Sequence, residues 1–175
     1  MIAGRYGGRR LTAPPGAATR PTSDRVREAL FSILGARVAG ARVLDLFAGS
    51  GALGIEALSR GAAAATFVDA APAAIRAIRA NLAALGIEAE VTRADAFAAL
   101  RSARAAARQY DLIFLDPPYR HSERLAPGLT EAIAGLLAPG GSVVSESDRR
   151  APLALELPLH DERRYGDTLI RIHGA

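Results

Sequence analysis

Three residue types are absent from this sequence of 175 residues: cysteine, lysine and tryptophan. The absence of cysteine excludes disulfide bonds and thiolate metal sites. The three histidines lie far apart in the sequence, so we expect no zinc site and no other metal centre. Without lysine, the Gly-Lys-Ser/Thr signature of a P-loop cannot occur, and a site that holds a nucleoside triphosphate in that way is not expected.

Long apolar runs are also missing. No stretch approaches the roughly 18 consecutive apolar residues of a membrane-spanning helix, and no signal-peptide core is visible. We therefore expect a soluble, cytoplasmic protein without membrane contact. The length predicts one domain over residues 1–175, without repeats or linkers, in which residues 1–20 form an arm or hairpin and residues 21–175 form the core.

Positive charge is concentrated in the first part of the chain. Residues 1–27 contain six arginines and one aspartate, a balance of +5, which leaves −1 for the remainder of the net +4. Between Gly4 and Leu11 the arginines alternate with glycines and a tyrosine, a pattern that suits an arm lying on phosphates. A solvated basic tail is the alternative. We favour contact with nucleic acid through Arg5, Arg9 and Arg10.

Apolar segments and helical patterns alternate along the chain from residue 42, which favours a parallel sheet with helices on both faces. Gly166-Asp167 lies between segments 153–165 and 167–173 and predicts a closing antiparallel hairpin. With that hairpin the sheet has seven strands and is mostly parallel. The predicted strands are 42–47, 65–69, 89–93, 111–116 and 142–146, with a break at residues 139–141, and the predicted helices are 24–35, 52–60, 72–85, 97–108 and 122–137.

The first predicted strand ends in a turn of small residues. Gly49 and Gly51 lack a Cβ atom, so the backbone there can approach a ligand closely. Asp69 follows Gly49 by 20 residues and ends the second strand, where folds of this kind place a carboxylate that accepts hydrogen bonds from ribose hydroxyls. A turn that merely joins a strand to a helix is the alternative for the glycines alone. Together with Asp69, the turn favours a nucleotide that is held by its ribose.

The fourth predicted strand runs directly into Asp116-Pro117-Pro118-Tyr119. The prolines fix the backbone and lack N–H groups, so the carbonyls and the Asp116 carboxylate form a rigid group of acceptors. Such a group suits an exocyclic amine, and Tyr119 can stack on a flat ring. A proline-rich loop that only ends a buried strand is the alternative.

Ligands of open parallel sheets bind beyond the carboxyl ends of the strands. We therefore expect Gly49, Asp69 and Asp116 to line one cleft. Asp95, which follows the third strand, would join them and could bind an adenine amino group. A helix cap is the alternative role for Asp95.

The segments Asp45–Gly51 and Asp116–Tyr119 together resemble the class I S-adenosylmethionine-dependent methyltransferases that act on amino nitrogens. The segments Gly4–Leu11 and, above all, Thr19–Phe31 are similar to the bacterial family that methylates N2 of guanine 966 in 16S ribosomal RNA. The resemblance implies a Rossmann-like methyltransferase fold, S-adenosylmethionine as cofactor, and 16S rRNA in an assembled or assembling small ribosomal subunit as partner. The second motif is shared with DNA and protein-glutamine methyltransferases, so it indicates the chemistry and not the substrate.

The resemblance also implies a role for individual residues in a single in-line methyl transfer to the guanine amino group. The implied catalytic residues are Asp116, Pro117 and Tyr119; the cofactor-binding residues are Asp45, Phe47, Ala48, Gly49, Ser50, Gly51, Asp69, Asp95, Ala96, Arg20 and Thr22; and the RNA-binding residues are Arg5, Arg9, Arg10, Arg120 and Arg124.

Two other functions stay open from the sequence. A DNA amino methyltransferase is one, although 175 residues leave little room for a separate target-recognition domain. A cofactor-binding ribosome assembly factor that has lost catalysis is the other, and the intact Asp116–Tyr119 motif argues against it.

Overall fold

A computed structural model describes residues 1–14, 24–117 and 122–174, the last range without the side chains of 122–124. Arg20, Thr22, Tyr119, Arg120 and the side chain of Arg124 therefore lie outside the described residues. In the described ranges, no helix is long and apolar enough to cross a membrane. The elements are α1 (Asp24–Leu34), β1 (Arg42–Leu46), α2 (Ala52–Ser59), β2 (Ala64–Asp69), α3 (Pro72–Leu85), β3 (Glu90–Arg93), α4 (Ala96–Ala105), β4 (Tyr110–Leu115), α5 (Ser122–Ala134), β5 (Leu137–Asp148), β6 (Leu159–Tyr165) and β7 (Thr168–Gly174).

The seven strands form one sheet in the order β3-β2-β1-β4-β5-β7-β6. Neighbouring strands run parallel, except that β7 runs antiparallel to both β5 and β6. The predicted mostly parallel sheet with a closing hairpin is confirmed. On one side of β1 the sheet continues with β2 and β3, and on the other side it continues with β4 and β5. The order of the strands therefore reverses between β1 and β4, which is where such sheets bind ligands.

Each face of the sheet carries its own apolar core. The helices α1, α2 and α3 pack on one face, and α4 and α5 pack on the other. Successive residues of a buried strand serve opposite cores, so Phe114 contributes to the first and Ile113 and Leu115 to the second. The rings of Phe31 and Phe114 lie 5.8 Å apart and join α1 to the sheet.

Several element boundaries differ from the predictions, and α5 ends at Ala134 rather than at residue 137. The strand β5 starts at Leu137, so the predicted break at residues 139–141 is wrong: Tyr110 pairs with Leu137 and Leu112 with Ser142, and this register shift absorbs the intervening residues as an irregularity within the strand. The helix α4 ends three residues early, and Ala107 takes a left-handed φ of 51° just beyond it. The predicted segment 153–165 is a strand only from residue 159.

The amino-terminal segment, residues 1–14, packs against α2. It contains a 3-10 turn at Gly4–Tyr6 and, within these residues, no strand. The backbone N–H groups of Ile2 and Ala3 donate to the fully buried Glu56 carboxylate, at 2.9 and 3.1 Å. The segment is thus docked on the core, with its three arginines exposed: Arg5, Arg9 and Arg10.

Candidate active site

The carboxyl ends of β1, β2 and β4 meet at one edge of the sheet, and β3 lies next to β2. At this edge, Asp69 Oδ2 accepts a hydrogen bond of 2.9 Å from the Gly49 N–H. The buried Asp45 is close enough to interact electrostatically with Asp69 on one side and with Asp116 on the other. The structure therefore brings together the turn at residues 48–51, called the glycine turn below, and the carboxylates that the sequence analysis singled out.

The turn after β1 has a backbone that ordinary residues rarely adopt. Phe47, Gly49 and Gly51 have φ values of 67°, 58° and 78°. For Phe47 such a conformation costs on the order of 1–3 kcal/mol, a strain typical of ligand sites. A Cβ atom added to Gly49 would meet nothing within 4 Å, so φ alone requires glycine there and the outer side of the turn is open to a ligand.

Gly54 holds α2 close to the sheet, a role that the sequence analysis did not assign. A Cβ atom at this position would lie 2.4 Å from Phe67 Cε1 and 3.1 Å from Asp45 Oδ2. The Gly54 N–H donates to Asp45 Oδ2 at 2.8 Å. The absence of a side chain therefore allows the first turn of α2 to reach the β1 carboxylate.

Asp45 lies beneath the turn and is only 2% exposed. Burial raises the pKa of Asp45; the hydrogen bond from Gly54 opposes the rise and the charge of Asp69 adds to it, and the result is a pKa of about 7. A carboxyl group with such a pKa is only partly ionised at neutral pH, and a nearby cation would favour its charged form. The cofactor contact of Asp45, which by the family resemblance would involve the amino end of the methionine part, stays a prediction that this environment supports.

Asp69 and Asp95 each have a structural role. Asp69 Oδ1 accepts from the Ala71 N–H at 2.8 Å, so this carboxylate also orders the entry to α3. Each carboxylate oxygen has a second acceptor position, which leaves capacity for ribose hydroxyls. Asp95 caps α4, because its Oδ1 accepts from two N–H groups of the first turn. Adenine contacts of Asp95 and of Ala96, the first residue of α4, remain predictions.

Asp116 directly follows β4 and is half-buried, next to the buried Pro117. Burial, followed by the charges of Glu146 and Asp45, raises the pKa of Asp116 well above its ordinary value. Glu146 is 3% exposed and lies on β5, where the pairing of Leu115 with Ser145 brings it alongside Asp116. Asp45, Asp116 and Glu146 thus lie near one another on three adjacent strands.

Sequence reasoning overlooked Glu146. The signal that could have found it is the polar run Ser145-Glu146-Ser147-Asp148, which follows two valines at the end of a buried strand. Its importance depends on β5 lying next to β4, and the sequence analysis predicted no strand order.

These residues suit S-adenosylmethionine, which combines a nucleoside with a positively charged sulfonium and an amino acid. The turn at Gly49 offers an open approach, and Asp69 offers acceptors beside it. The pKa values of the Asp45 and Asp116 carboxyl groups are raised by burial and by neighbouring carboxylates, so a nearby cation would favour their charged forms. The arrangement is therefore complementary to the charge and the hydroxyl groups of this cofactor.

Comparisons with known proteins point in the same direction. A family model described as conserved hypothetical protein 95 matches residues 1–174. The putative rRNA methyltransferase YlbH of Bacillus subtilis is 40% identical over 99% of this chain and 97% of its own length. Ribosomal RNA small subunit methyltransferase D of Escherichia coli K12 is 39% identical over 84% of this chain and 70% of its own.

Solved structures show the same fold. The putative methyltransferase yhhF from Escherichia coli superposes with a TM-score of 0.83 at 35% identity, over 99% of this chain and 96% of that one. The Thermus thermophilus 16S rRNA N2 G1207 methyltransferase, in complex with AdoMet and guanosine, gives a TM-score of 0.75 at 23% identity. That match covers 93% of this chain and 45% of the other, and at this identity it indicates a shared fold alone.

Proposed function

We propose the function from one premise: the chain belongs to the conserved hypothetical protein 95 family, together with ribosomal RNA small subunit methyltransferase D. On this proposal it transfers a methyl group from S-adenosylmethionine to the exocyclic N2 amino group of a guanine in 16S rRNA. The observation that supports the proposal most is the position of Asp116, which directly follows β4 and lies near Asp45, at the edge of the sheet that carries the open turn at Gly49.

The chain's own residues would hold the cofactor at the ends of β1 and β2. S-adenosylmethionine supplies an electrophilic methyl group on a sulfonium, which leaves as a neutral thioether. The backbone of Ala48–Gly51 would bind the methionine part, with Asp45 beneath it, and Asp69 would accept from the ribose hydroxyls. Asp95 would serve the adenine with its remaining acceptor capacity.

Asp116 would act on the amino group that receives the methyl. The nitrogen of such a group is a weak nucleophile because its lone pair is delocalised into the ring. Acceptors on its two hydrogens, the Asp116 carboxylate and the Pro117 carbonyl, would orient the lone pair and stabilise the positive charge that develops on nitrogen. When the N–C bond forms, the nitrogen loses one proton, and the raised pKa of Asp116 makes its carboxylate a better acceptor for that proton.

For the transfer to occur, the target guanine must leave its stack in the RNA. The free energy of this unstacking is lowest in an exposed loop. Arg5, Arg9 and Arg10 are exposed on the docked amino-terminal segment and would contact phosphates. A chain of this size offers few groups to select one nucleotide in free RNA. We therefore propose the small subunit, assembled or assembling, as the substrate.

The test is incubation of the purified chain with radiolabelled S-adenosylmethionine and three substrates: naked 16S rRNA, small subunits that lack the modification, and DNA. We expect label in the subunits, and nucleoside mass analysis should identify it as N2-methylguanine. Label in DNA would identify a DNA amino methyltransferase. Cofactor binding without transfer to any substrate would identify a non-catalytic assembly factor.

A further inference from the structure

Asn81, on α3, joins two segments that are distant in the sequence. Its side chain is buried, with only 3% of the residue exposed. Oδ1 accepts from the Thr12 N–H at 2.8 Å, and Nδ2 donates to the Thr12 carbonyl at 3.0 Å and to the Ser50 carbonyl at 2.9 Å. One amide therefore binds both backbone groups of Thr12 and, at the same time, the glycine turn.

The geometry fixes which end of the amide faces which partner. Two carbonyl oxygens need a donor and one N–H needs an acceptor, and only the observed orientation of Asn81 satisfies all three. Because the group is buried, the loss of any one partner would leave a polar atom without water to replace it. The three bonds thus depend on one another.

The other end of the amino-terminal segment is tied to α2. Ser59 Oγ accepts from the Tyr6 N–H at 2.9 Å and donates to the Ala3 carbonyl at 2.5 Å. Since Ser59 ends α2 and Ser50 precedes it, the segment extends along α2 from its last residue to the turn at its start. Leu11 packs against the core between these two attachments.

The glycine turn has few internal contacts to fix its shape. At the two ends of the turn, the Ala48 N–H donates to the Val68 carbonyl and the Gly51 carbonyl accepts from the Ile55 N–H. Within it, the Gly51 N–H donates to the Ala48 carbonyl, and the Gly49 N–H donates to Asp69. Ser50, the residue between the two left-handed glycines, accepts its hydrogen bond from Asn81. A change in that bond would alter the backbone that borders the open side of the turn.

We propose that Asn81 is a positioning residue for the cofactor turn and that it makes residues 1–14 a structural part of the cofactor site. The inference rests on the proposed function for the identity of the ligand. The amino-terminal segment then has two roles: its exposed arginines serve the RNA, and the backbone of Thr12 holds Asn81 in the orientation that supports Ser50.

The first test compares Asn81→Asp and Asn81→Ala with the wild type, and Arg79→Ala, exposed on the same helix, is the control. Alanine has a higher helix propensity than asparagine, so Asn81→Ala does not weaken α3 itself. We expect the Kd for S-adenosylmethionine, measured by calorimetry, to rise roughly 3- to 10-fold, the value of one net hydrogen bond. The kcat at saturating cofactor should stay near the wild-type value.

Amide hydrogen exchange without any ligand gives an independent measurement. Faster exchange in peptides that cover residues 48–51 and 11–13 of Asn81→Asp would support the coupling, while Arg79→Ala should leave both unchanged. Unchanged exchange at residues 48–51 would overturn the inference. This readout does not involve methylation, so a chain that binds cofactor and fails to methylate RNA refutes the proposed function and not the role of Asn81.

The second test asks whether the amino-terminal segment acts through Asn81. Thr12→Pro removes the N–H group that donates to Asn81 Oδ1, and deletion of residues 2–12 removes most of the amino-terminal segment. Either change should raise the Kd for S-adenosylmethionine when Asn81 is present and should add little in the N81A variant. A deletion that leaves the Kd unchanged, or that weakens binding equally in both backgrounds, would show that the segment does not act through this residue.

Discussion

The two halves of the site are held in opposite ways. On the side of β1 and β2, the glycine turn is fixed by neutral backbone groups that pair with side chains: Gly49 with Asp69, and Ser50 with Asn81. On the side of β4 and β5, Asp116 lies near the buried Glu146, and their like charges oppose ionisation. The backbone of the turn is thus held by hydrogen bonds in the absence of a ligand, whereas the pKa of Asp116 is raised, so that a nearby cation would favour its ionised form.

This difference separates binding from chemistry. A preformed turn lowers the entropic cost of holding a cofactor. A carboxyl group whose pKa is raised gains its charge in response to a nearby cation, and Asp116 therefore responds to a positively charged donor more than to a neutral product. Mutations in the two halves should consequently affect different parameters.

The largest effect is expected from Asp116→Ala. Loss of one group that stabilises charge in the transition state typically lowers kcat about 100- to 1000-fold. The glycine turn is untouched, so the Kd for S-adenosylmethionine should stay within a few fold of the wild type. Single-turnover methylation and calorimetry measure the two quantities. Near-normal turnover would refute the contact between Asp116 and the amino group.

The pH profile sharpens the assignment to Asp116. Its pKa is raised, and the proposed role needs the ionised form, so kcat should fall as the pH is lowered through that pKa. Asp116→Asn keeps an acceptor oxygen and cannot titrate. Its residual activity should lack this part of the pH dependence, and an unchanged profile would assign the titration to another group.

Gly54→Ala should disturb the other half of the site, on the side of β1 and β2. The added methyl would overlap Phe67 and approach Asp45, and overpacking of this kind typically costs about 1–3 kcal/mol. We expect a lower melting temperature and weaker cofactor binding. The matched control is Gly141→Ala on β5, where a Cβ atom would lie 2.8 Å from the Ala138 carbonyl oxygen and 3.0 Å from Leu137, next to the part of β5 that pairs with the amino end of β4 and not at the site. Equal effects of the two variants on cofactor affinity would contradict the special role of Gly54.

The smallest effect is expected from Asp45→Asn, and it is an effect on stability. Asp45 lies on β1, and its charge contributes to the raised pKa of Asp116, so this residue connects the two halves of the site. Burial raises the pKa of Asp45 to about 7, so the folded state binds a proton more tightly than the unfolded state. The free energy of unfolding should therefore fall as the pH rises from about 4 to about 7, given the ordinary carboxyl pKa. The amide can still accept from Gly54, and the variant should gain stability relative to the wild type at pH 8 compared with pH 5.

Thermal unfolding at the two pH values measures this difference. Comparison with the wild type at each pH removes the contributions that the two chains share. Removal of the Asp45 charge also lowers the pKa of Asp116, since that charge is one of the causes of its rise. A stability difference that does not change with pH would show that Asp45 is ionised in the fold.

The sequence predicted the parts of the site whose signals are local. The turn at Gly49 and the motif at Asp116 are short segments at strand ends, and periodicity located the strands themselves. Asn81 could not be found in this way, because its partners lie 69 and 31 residues away and it reads as one polar position on a helix. Glu146 was missed because its neighbours depend on strand order.

Local turn signals also misled in one place. The proline and glycines at residues 139–141 are typical of a loop, and they predicted that β5 would start after them. Pairing with β4 outweighs that preference, and Gly140, with a φ of 74°, accommodates the irregular register. At Asp95, by contrast, local reasoning was correct. The sequence analysis left a helix cap open as the alternative role of this residue, and the structure shows that Asp95 caps α4.

The end of β5 offers a place for a spectroscopic probe. Its carboxyl end lies at the same edge of the sheet as Asp116, and Arg150 follows it with a side chain that is 72% exposed. Because the natural chain has no cysteine, Arg150→Cys would carry its single thiol. A fluorophore attached to this thiol would label one known position, and its signal could be used to follow the binding of RNA over time. No native cysteine has to be replaced beforehand.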